Sequence, residues 1–305
     1  MRENGLIAVV LIWGVYLALA TGSFLTRANI LLVLRQSSSI GIVAIGASLV
    51  ILLGDIDLSL GSILAVSGVV GSQLLLSTCA PVVVACVATV ALGAVCGVAN
   101  GLAVTVLRIN SFMATLGMMS VLQGIAYVRT GGQTLFGNRL GPLTFLSNGY
   151  LAGIPFPVIL LFAAYAVAWV VLNRTTFGAR LYAVGNNPRA SYLAGIRVGL
   201  VTVAAFALAG ALAGFGGLLQ VSRLNSAGGG MGADLLFPVI TAVVLGGISL
   251  SGGKGRILDV LIASVFLGMI ANGLILLGVS GYTQEIVSGA ILIAALALDR
   301  WRVRR

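Results

Sequence analysis

The sequence predicts an all-α membrane protein of about ten transmembrane helices, and three observations carry that prediction. Hydrophobic residues make up 59% of the 305 and charged residues 8%, against about 45–50% and 25% in soluble domains. Apolar runs of membrane-crossing length follow one another along the chain, and no polar stretch is long enough for a separate soluble domain. Basic residues collect between these runs rather than inside them. A single transmembrane domain over residues 1–305 is therefore expected.

A helix needs about 20 apolar residues to cross the hydrocarbon core, with a range of about 17–25. The first run, residues 5–22, ends in Ala18-Leu19-Ala20, which resembles a signal-peptidase site. Only Arg2 precedes it and Glu3 offsets that charge, so an uncleaved first span is expected. Spans follow at 38–54 and 58–76, separated by three residues; this pair reads either as two crossings or as one element broken within the membrane. Runs at 81–107, 111–128, 154–172, 199–222, 237–253, 257–278 and 283–299 complete the ten.

Charge sets the orientation. With the N-terminus inside, twelve basic residues face the cytoplasm: Arg2, Arg108, Arg174, Arg180, Arg189, Arg197, Lys254, Arg256, Arg300, Arg302, Arg304 and Arg305. Five face outward: Arg27, Arg35, Arg129, Arg139 and Arg223. This is the asymmetry of the positive-inside rule. It places both termini and the basic tail 300–305 in the cytoplasm, with a loop at 129–153 outside and a loop at 173–197 inside. The net charge of +10 is thus topological, and no soluble basic face is left for a nucleic acid.

Ala99-Asn100-Gly101-Leu102 recurs as Ala271-Asn272-Gly273-Leu274, and the "DIDL" junction of spans two and three has a counterpart in "GADL", residues 232–235. These short matches suggest a 5+5 pseudo-repeat, and halves of five helices are inverted relative to each other, as in many transporters. Glycines at 93, 97 and 101 and at 210, 214 and 217 carry the small-residue spacing that lets helices approach closely in lipid. Cys79, Cys86 and Cys96 lack paired spacing, and the chain has no His, so the cysteines read as packing residues and no metal site is expected.

Asp55 and Asp57 are two of only seven acidic residues. A carboxylate inside the bilayer needs water, a partner or a helix terminus. Asp57 or Ser59 is placed to cap a helix starting near residue 60. The alternative is a polar break in which Asp55, Asp57 and Ser59 offer acceptors to a hydroxylated solute, and both readings stay open. Asn100 and Asn272 are further weakly polar groups on the expected pathway. "GGISLSGGKGR", residues 246–256, fails as a phosphate loop: its spacing is wrong, Lys254 is followed by Gly255, and a membrane helix precedes it. Glycines closing a helix end fit better.

In the loop 173–197, Asn187-Pro188 is a helix start, with Asn as cap and Pro in the first position. A short helix over 188–195 would show Ala190, Leu193 and Ala194 on one face, which asks for a partner groove. No nucleophile and base converge anywhere, so an enzyme is not expected.

Four stretches in order, "GDIDLSLGS", "NSFMATLGMM", "FGARLYAVGNNPRASYLAGI" and "AVVLGGISLSGGKGR", resemble the permease subunit of a ribose-type ATP-binding-cassette sugar importer. The resemblance covers about residue 29 to Asp299. It implies a type II importer-like permease in a bacterial inner membrane, paired with a second copy or a paralogue. It also implies two cytoplasmic ATPases that hold the ATP and Mg, and a periplasmic sugar-binding protein; the permease itself binds no cofactor. By the same resemblance, residues 188–195 are the coupling helix, and Gly185, Asn187, Pro188, Ala190, Leu193 and Gly195 are the contact region. Asp55, Asp57 and Ser59 match the family's acidic break. Two stretches depart from the pattern: Ser111 stands where proline is common, and "DLLFPVITAVVLGG" has Leu236 and Pro238 in place of an acidic pair. The expected function is ATP-driven uptake of a monosaccharide or related polyol by alternating access. The alternatives are an ion-coupled transporter using Asp55 and Asp57, and a permease for another small solute such as a furanose signalling molecule.

Overall fold

A computed structural model describes residues 3–78 and 80–303 of the chain. Arg2, Cys79, Arg304 and Arg305 lie outside the described residues, as do the side chains of Asp299, Arg300 and Arg302. The helices are α1 (Glu3–Ala20), α2 (Arg27–Leu52), α3 (Leu60–Ser77), α4 (Val82–Thr105), α5 (Ser111–Thr130), α6 (Phe145–Asn148) and α7 (Phe156–Arg174). They continue with α8 (Thr176–Asn186), α9 (Pro188–Leu193), α10 (Val198–Leu224), α11 (Leu236–Leu245), α12 (Ile257–Leu276) and α13 (Gly281–Val303). Four two-residue strands are confined to loops: β1 (Leu135–Phe136) pairs antiparallel with β4 (Ser226–Ala227), and β2 (Tyr150–Leu151) with β3 (Ile154–Pro155).

The protein is an all-α, multi-pass membrane protein. Among the described residues, α2, α3, α4, α5, α7, α10 and α12 are long and apolar enough to cross a bilayer, and shorter apolar stretches occupy 5–20, 233–245 and 281–297. At the centre, α10 buries Ala205, Phe206, Ala209 and Ala213 and packs along α4, α2 and α3. The seam with α4 is made by glycine. A Cβ on Gly97 would collide with the Phe206 carbonyl, and one on Gly210 with the Gly93 carbonyl. In lipid the tails are as apolar as Leu, so this backbone approach supplies the attraction that water expulsion supplies in a soluble core. On α2, Gly46 meets the Ala209 backbone of α10 in the same way.

Two element boundaries differ from the sequence expectation. Helix α2 begins at Arg27, eleven residues before the predicted start at 38. Thr26 caps it by accepting from the Asn29 amide. Arg35, two turns in, reaches the 148–150 loop, where it donates to the Asn148 carbonyl at 3.4 Å and lies over the Tyr150 ring at 5.2 Å. The charge is therefore housed by protein, and the helix need not end before it. Helix α11 ends at Leu245 instead of continuing to 253. Gly246 abuts the Val260 backbone of α12, and Gly247 has φ +80°. Ten residues span about 15 Å, so α11 crosses only part of the bundle. The stretch before it turns inward, with Gly232 against Gly61 at the start of α3.

The outer loop expected at 129–153 is folded onto the bundle. Leu140 and Leu143 are buried in a small cluster with Val69, Leu75, Ala85 and Val221, and the Ser147 hydroxyl donates to the Leu219 carbonyl at 2.7 Å.

Gly97→Ala is expected to cost about 1–3 kcal/mol by overpacking the α4–α10 seam. Gly117→Ala on α5 has nothing within 4 Å of the new Cβ and should leave stability unchanged or slightly raised. Thermal unfolding of the two purified variants in detergent checks the contrast.

Candidate functional site

Residues 53–59 interrupt what would otherwise be two consecutive spans. Helix α2 closes at Leu53, and Gly54 turns the chain with φ +83°. Past this turn residues 55–57 form no regular secondary structure; the Asp55 amide returns to the Val50 carbonyl at 3.3 Å, and α5 supplies partners for the following amides from its first turns. The Ile56 amide donates to Ser111 Oγ at 3.3 Å and the Leu58 amide to Thr115 Oγ1 at 3.1 Å. Thr115 Oγ1 in turn lies 3.2 Å from the Ile56 carbonyl and 2.8 Å from its own helix's Ser111 carbonyl. One hydroxyl stands near both polar groups of the break, because Ser111 and Thr115 are four apart on one helix face.

Asp57 is buried, at 3% exposure. Its Oδ1 accepts from the Ser59 amide at 2.9 Å and the Ser59 hydroxyl at 2.6 Å. Asn100 of α4 closes the group: its Nδ2 donates to Ser59 Oγ at 2.7 Å and lies 3.5 Å from both Asp57 oxygens. Ser59 is the N-cap of α3 but makes no capping bond of its own. Instead Asp57 holds the residue that precedes the helix, a local aspartate turn. Asn100 Oδ1, fully buried, has no partner in the structure. Asp55 is half-buried and stands outside this closed set.

Asp57, Ser59 and Asn100 thus converge, with Asp55 beside them, while Asn272 does not join them. Asn272 pairs amide to amide with Asn29, with N–O distances of 2.9 and 3.0 Å, both side chains buried. Asn29 opens α2 whereas Asp57 lies past its end, so the two asparagines of the short repeat serve opposite ends of a helix about 39 Å long. Thr115 and Asn29 did not stand out in the sequence, and Ser111 stood out only as a departure from the family pattern, not as a partner of the break. The signal for a joint role of Ser111 and Thr115 was two hydroxyls four residues apart, the first directly after the Asn110 cap.

The break lies at the end of the bundle that carries α8 and α9. Sequence reasoning expected one short helix in 173–197, and the structure has two. Helix α8 turns back from α7 at Thr175, whose hydroxyl accepts from the Gly178 amide, and buries Leu181, Val184 and Gly185. Asn187 then caps α9 by accepting from the Ala190 amide at 2.9 Å, with Pro188 in the first position. The helix closes at Leu193, two residues before the predicted end, and Gly195 follows with φ +83°. Tyr192 and Leu193 are 71% and 78% exposed, so a short capped helix presents an aromatic and an aliphatic side chain away from the bundle. Tyr192 did not figure in the predicted apolar face.

The family model for the branched-chain amino acid transport system permease component matches residues 29–296, nearly the whole bundle. The chain belongs to this permease family. The permease is 41% identical to the ribose import permease protein of Bacillus subtilis over 98% of its own length and 93% of that protein. It is 38% identical to the ribose import permease protein of Escherichia coli K12, over 98% and 94%. With the L-arabinose transporter permease protein of Azospirillum brasilense it shares 34% identity, over 99% and 88%. No solved structure matches the chain.

In this permease, Asp57→Ala would leave the Ser59 amide and hydroxyl without their acceptor, an expected cost of about 1–3 kcal/mol. Asp55→Ala, at a half-buried side chain that reaches Ser111 but stands outside the closed set, should cost less than Asp57→Ala. Denaturant titration in mixed micelles, followed by tryptophan fluorescence, checks both.

Proposed function

We propose that this chain is the membrane permease of an ATP-driven, binding-protein-dependent importer of a monosaccharide or related polyol. The observation that carries the reading is α9: a Pro-started, Asn-capped helix of six residues whose Tyr192 and Leu193 are largely exposed. A helix placed beyond the lipid-length elements with bare apolar side chains calls for a groove on another protein. The name of the L-arabinose ABC transporter permease among the relatives supports an ATPase as that protein. The permease has no means of hydrolysing ATP itself, and ATP and Mg belong to the partner. The names of the relatives, ribose and L-arabinose among them, support a sugar cargo and leave open which sugar.

The twelve-to-five distribution of basic residues supports a cytoplasmic-membrane protein with both termini and α9 inside. Helix pairing supports five helices facing five in inverted order. The contact of α4 with α10 is mirrored by that of α12 with α2, α3 with α4 by α11 with α12, and α3 with α5 by α11 with α13. Both halves place an interruption before their third helix, at 53–59 and 225–235. We place the sugar pathway along the junction of two permeases, a second copy or a paralogue, with a periplasmic binding protein delivering the sugar. Asp55 at the break offers acceptors to the solute. Asp57, Ser59 and Asn100 brace the backbone from which it projects, and Asn272 takes a structural role instead.

Reconstitution in vesicles with the companion ATPase and binding protein is expected to give uptake of radiolabelled ribose, arabinose or galactose that requires ATP. Uptake by the permease alone, driven by a sodium or proton gradient, would favour ion coupling through Asp55 and Asp57 and contradict the reading. Leu193→Asp is expected to release the ATPase, with the permease remaining in the membrane; undiminished co-purification would count against α9 as the contact.

A further inference from the structure

Three stretches of backbone meet where α8 hands over to α9, and glycine is what lets them meet. Gly185, the penultimate residue of α8, faces the end of α2: a Cβ there would fall onto the Leu52 carbonyl and within 2.7 Å of the Gly253 amide. That amide already donates to the Leu52 carbonyl at 2.8 Å, satisfying a last-turn acceptor that α2 cannot satisfy itself. Gly252 and Gly253 adopt φ +79° and +70°. A Cβ on Gly252 would sit 2.8 Å from both the Gly185 carbonyl and the Gly54 amide, and one on Gly253 2.7 Å from Asn186 Cα. The loop holding these glycines is closed on itself, with the Ser249 amide donating to the Lys254 carbonyl and the Gly252 amide to the Ser249 carbonyl, both at 3.0 Å. A second tie comes from α8, whose Tyr182 hydroxyl donates to the Gly255 carbonyl at 3.0 Å.

We infer that Tyr182 and Gly185 are transmission residues: they join α8–α9, the end of α2 and the 249–255 loop into one block, so that displacement of α9 moves the 53–59 break and the start of α12 together. This rests on the reading of α9 as the ATPase contact. The physical reason is the lack of slack. Where side chains separate elements, a shift of an ångström is absorbed by rotamers; where carbonyl, amide and Cα touch directly, it is passed on. On one side the block leads within one residue, Asn187, to the exposed helix. On the other it leads through Gly54 to Asp55, and through Gly255 to α12, which begins at Ile257.

The test uses the complete complex, permease with ATPase and binding protein in nanodiscs or vesicles, and compares native protein with Tyr182→Phe and Gly185→Ala. Gly185, expected from the resemblance to lie in the ATPase contact region, is instead buried in α8 against the end of α2, so neither change touches the exposed face of α9. Co-purifying ATPase is expected to stay at the native level for both. Sugar carried per ATP hydrolysed, scored on whichever of radiolabelled ribose, arabinose or galactose the native complex carries best, is expected to fall about tenfold for Gly185→Ala and about threefold for Tyr182→Phe. If Gly185→Ala does not reach the membrane, Tyr182→Phe, which removes one hydroxyl and adds no atom, decides alone. A native ratio of transport to hydrolysis in Tyr182→Phe would overturn the inference, as would a loss of transport that only follows a loss of bound ATPase. A native complex that retains no ATPase would instead defeat the reading of α9, and the inference with it.

Discussion

Where α2 ends and neighbouring helices pack around the chain, the amides and carbonyls of a non-helical stretch need partners, and each one buried without a partner costs about 1–3 kcal/mol. The arrangement of this permease around residues 53–59 follows from that constraint. The first turns of α5 come alongside because Ser111 and Thr115 must meet the Ile56 and Leu58 amides. Helix α4 presents Asn100 where the Asp57–Ser59 turn needs a donor. The glycine loop after α11 supplies the Gly253 amide to the last carbonyl of α2. Three elements distant in sequence thus meet the polar groups of the end of α2 and of the stretch that follows it.

The same economy explains the glycines. Close approach of α4, α10 and α3 leaves no room for a Cβ at Gly93, Gly97, Gly210 or Gly217, and the approach provides packing attraction where hydrophobic burial provides none. At the α8 end a second group of glycines turns the same principle to another use, bringing loop backbone against helix terminus so that the contacts are stiff. Packing glycines lie within continuous helices, whereas the group at the α8 end combines Gly185 inside α8 with Gly54, Gly252 and Gly253, which have positive φ in loops.

Much of this was legible in the residues. "DIDLSLGS" reads as an interruption because two carboxylates and a helix start are crowded into a strongly apolar chain, and Asn187-Pro188 reads as a helix start from capping alone. What escaped reading has physical causes. The early start of α2 was hidden because Arg27 and Arg35 look like lipid-interface residues until the Tyr150 loop is seen to shelter the second. Helix α8 was hidden because "TFGARLYAVGN" is too polar for a span, and its buried Leu181 and Val184 acquire meaning only against α2 and α10. The role of Ser111 and Thr115 is indistinguishable in sequence from the hydroxyl back-bonding common in membrane helices. Asn272 was grouped with Asn100 because a four-residue repeat suggests equivalent duty, yet its partner Asn29 lies 243 residues away and outside the repeat.

Hydrogen–deuterium exchange of the permease in lipid nanodiscs tests the central claim most directly. If side chains of α4 and α5 and the glycine loop satisfy the break, the amides of Ile56, Leu58, Ser59 and Gly253 will exchange as slowly as those in the middle of α2 and α3. Exchange of these four at the rate of an exposed loop, with the flanking helices still protected, would contradict the account.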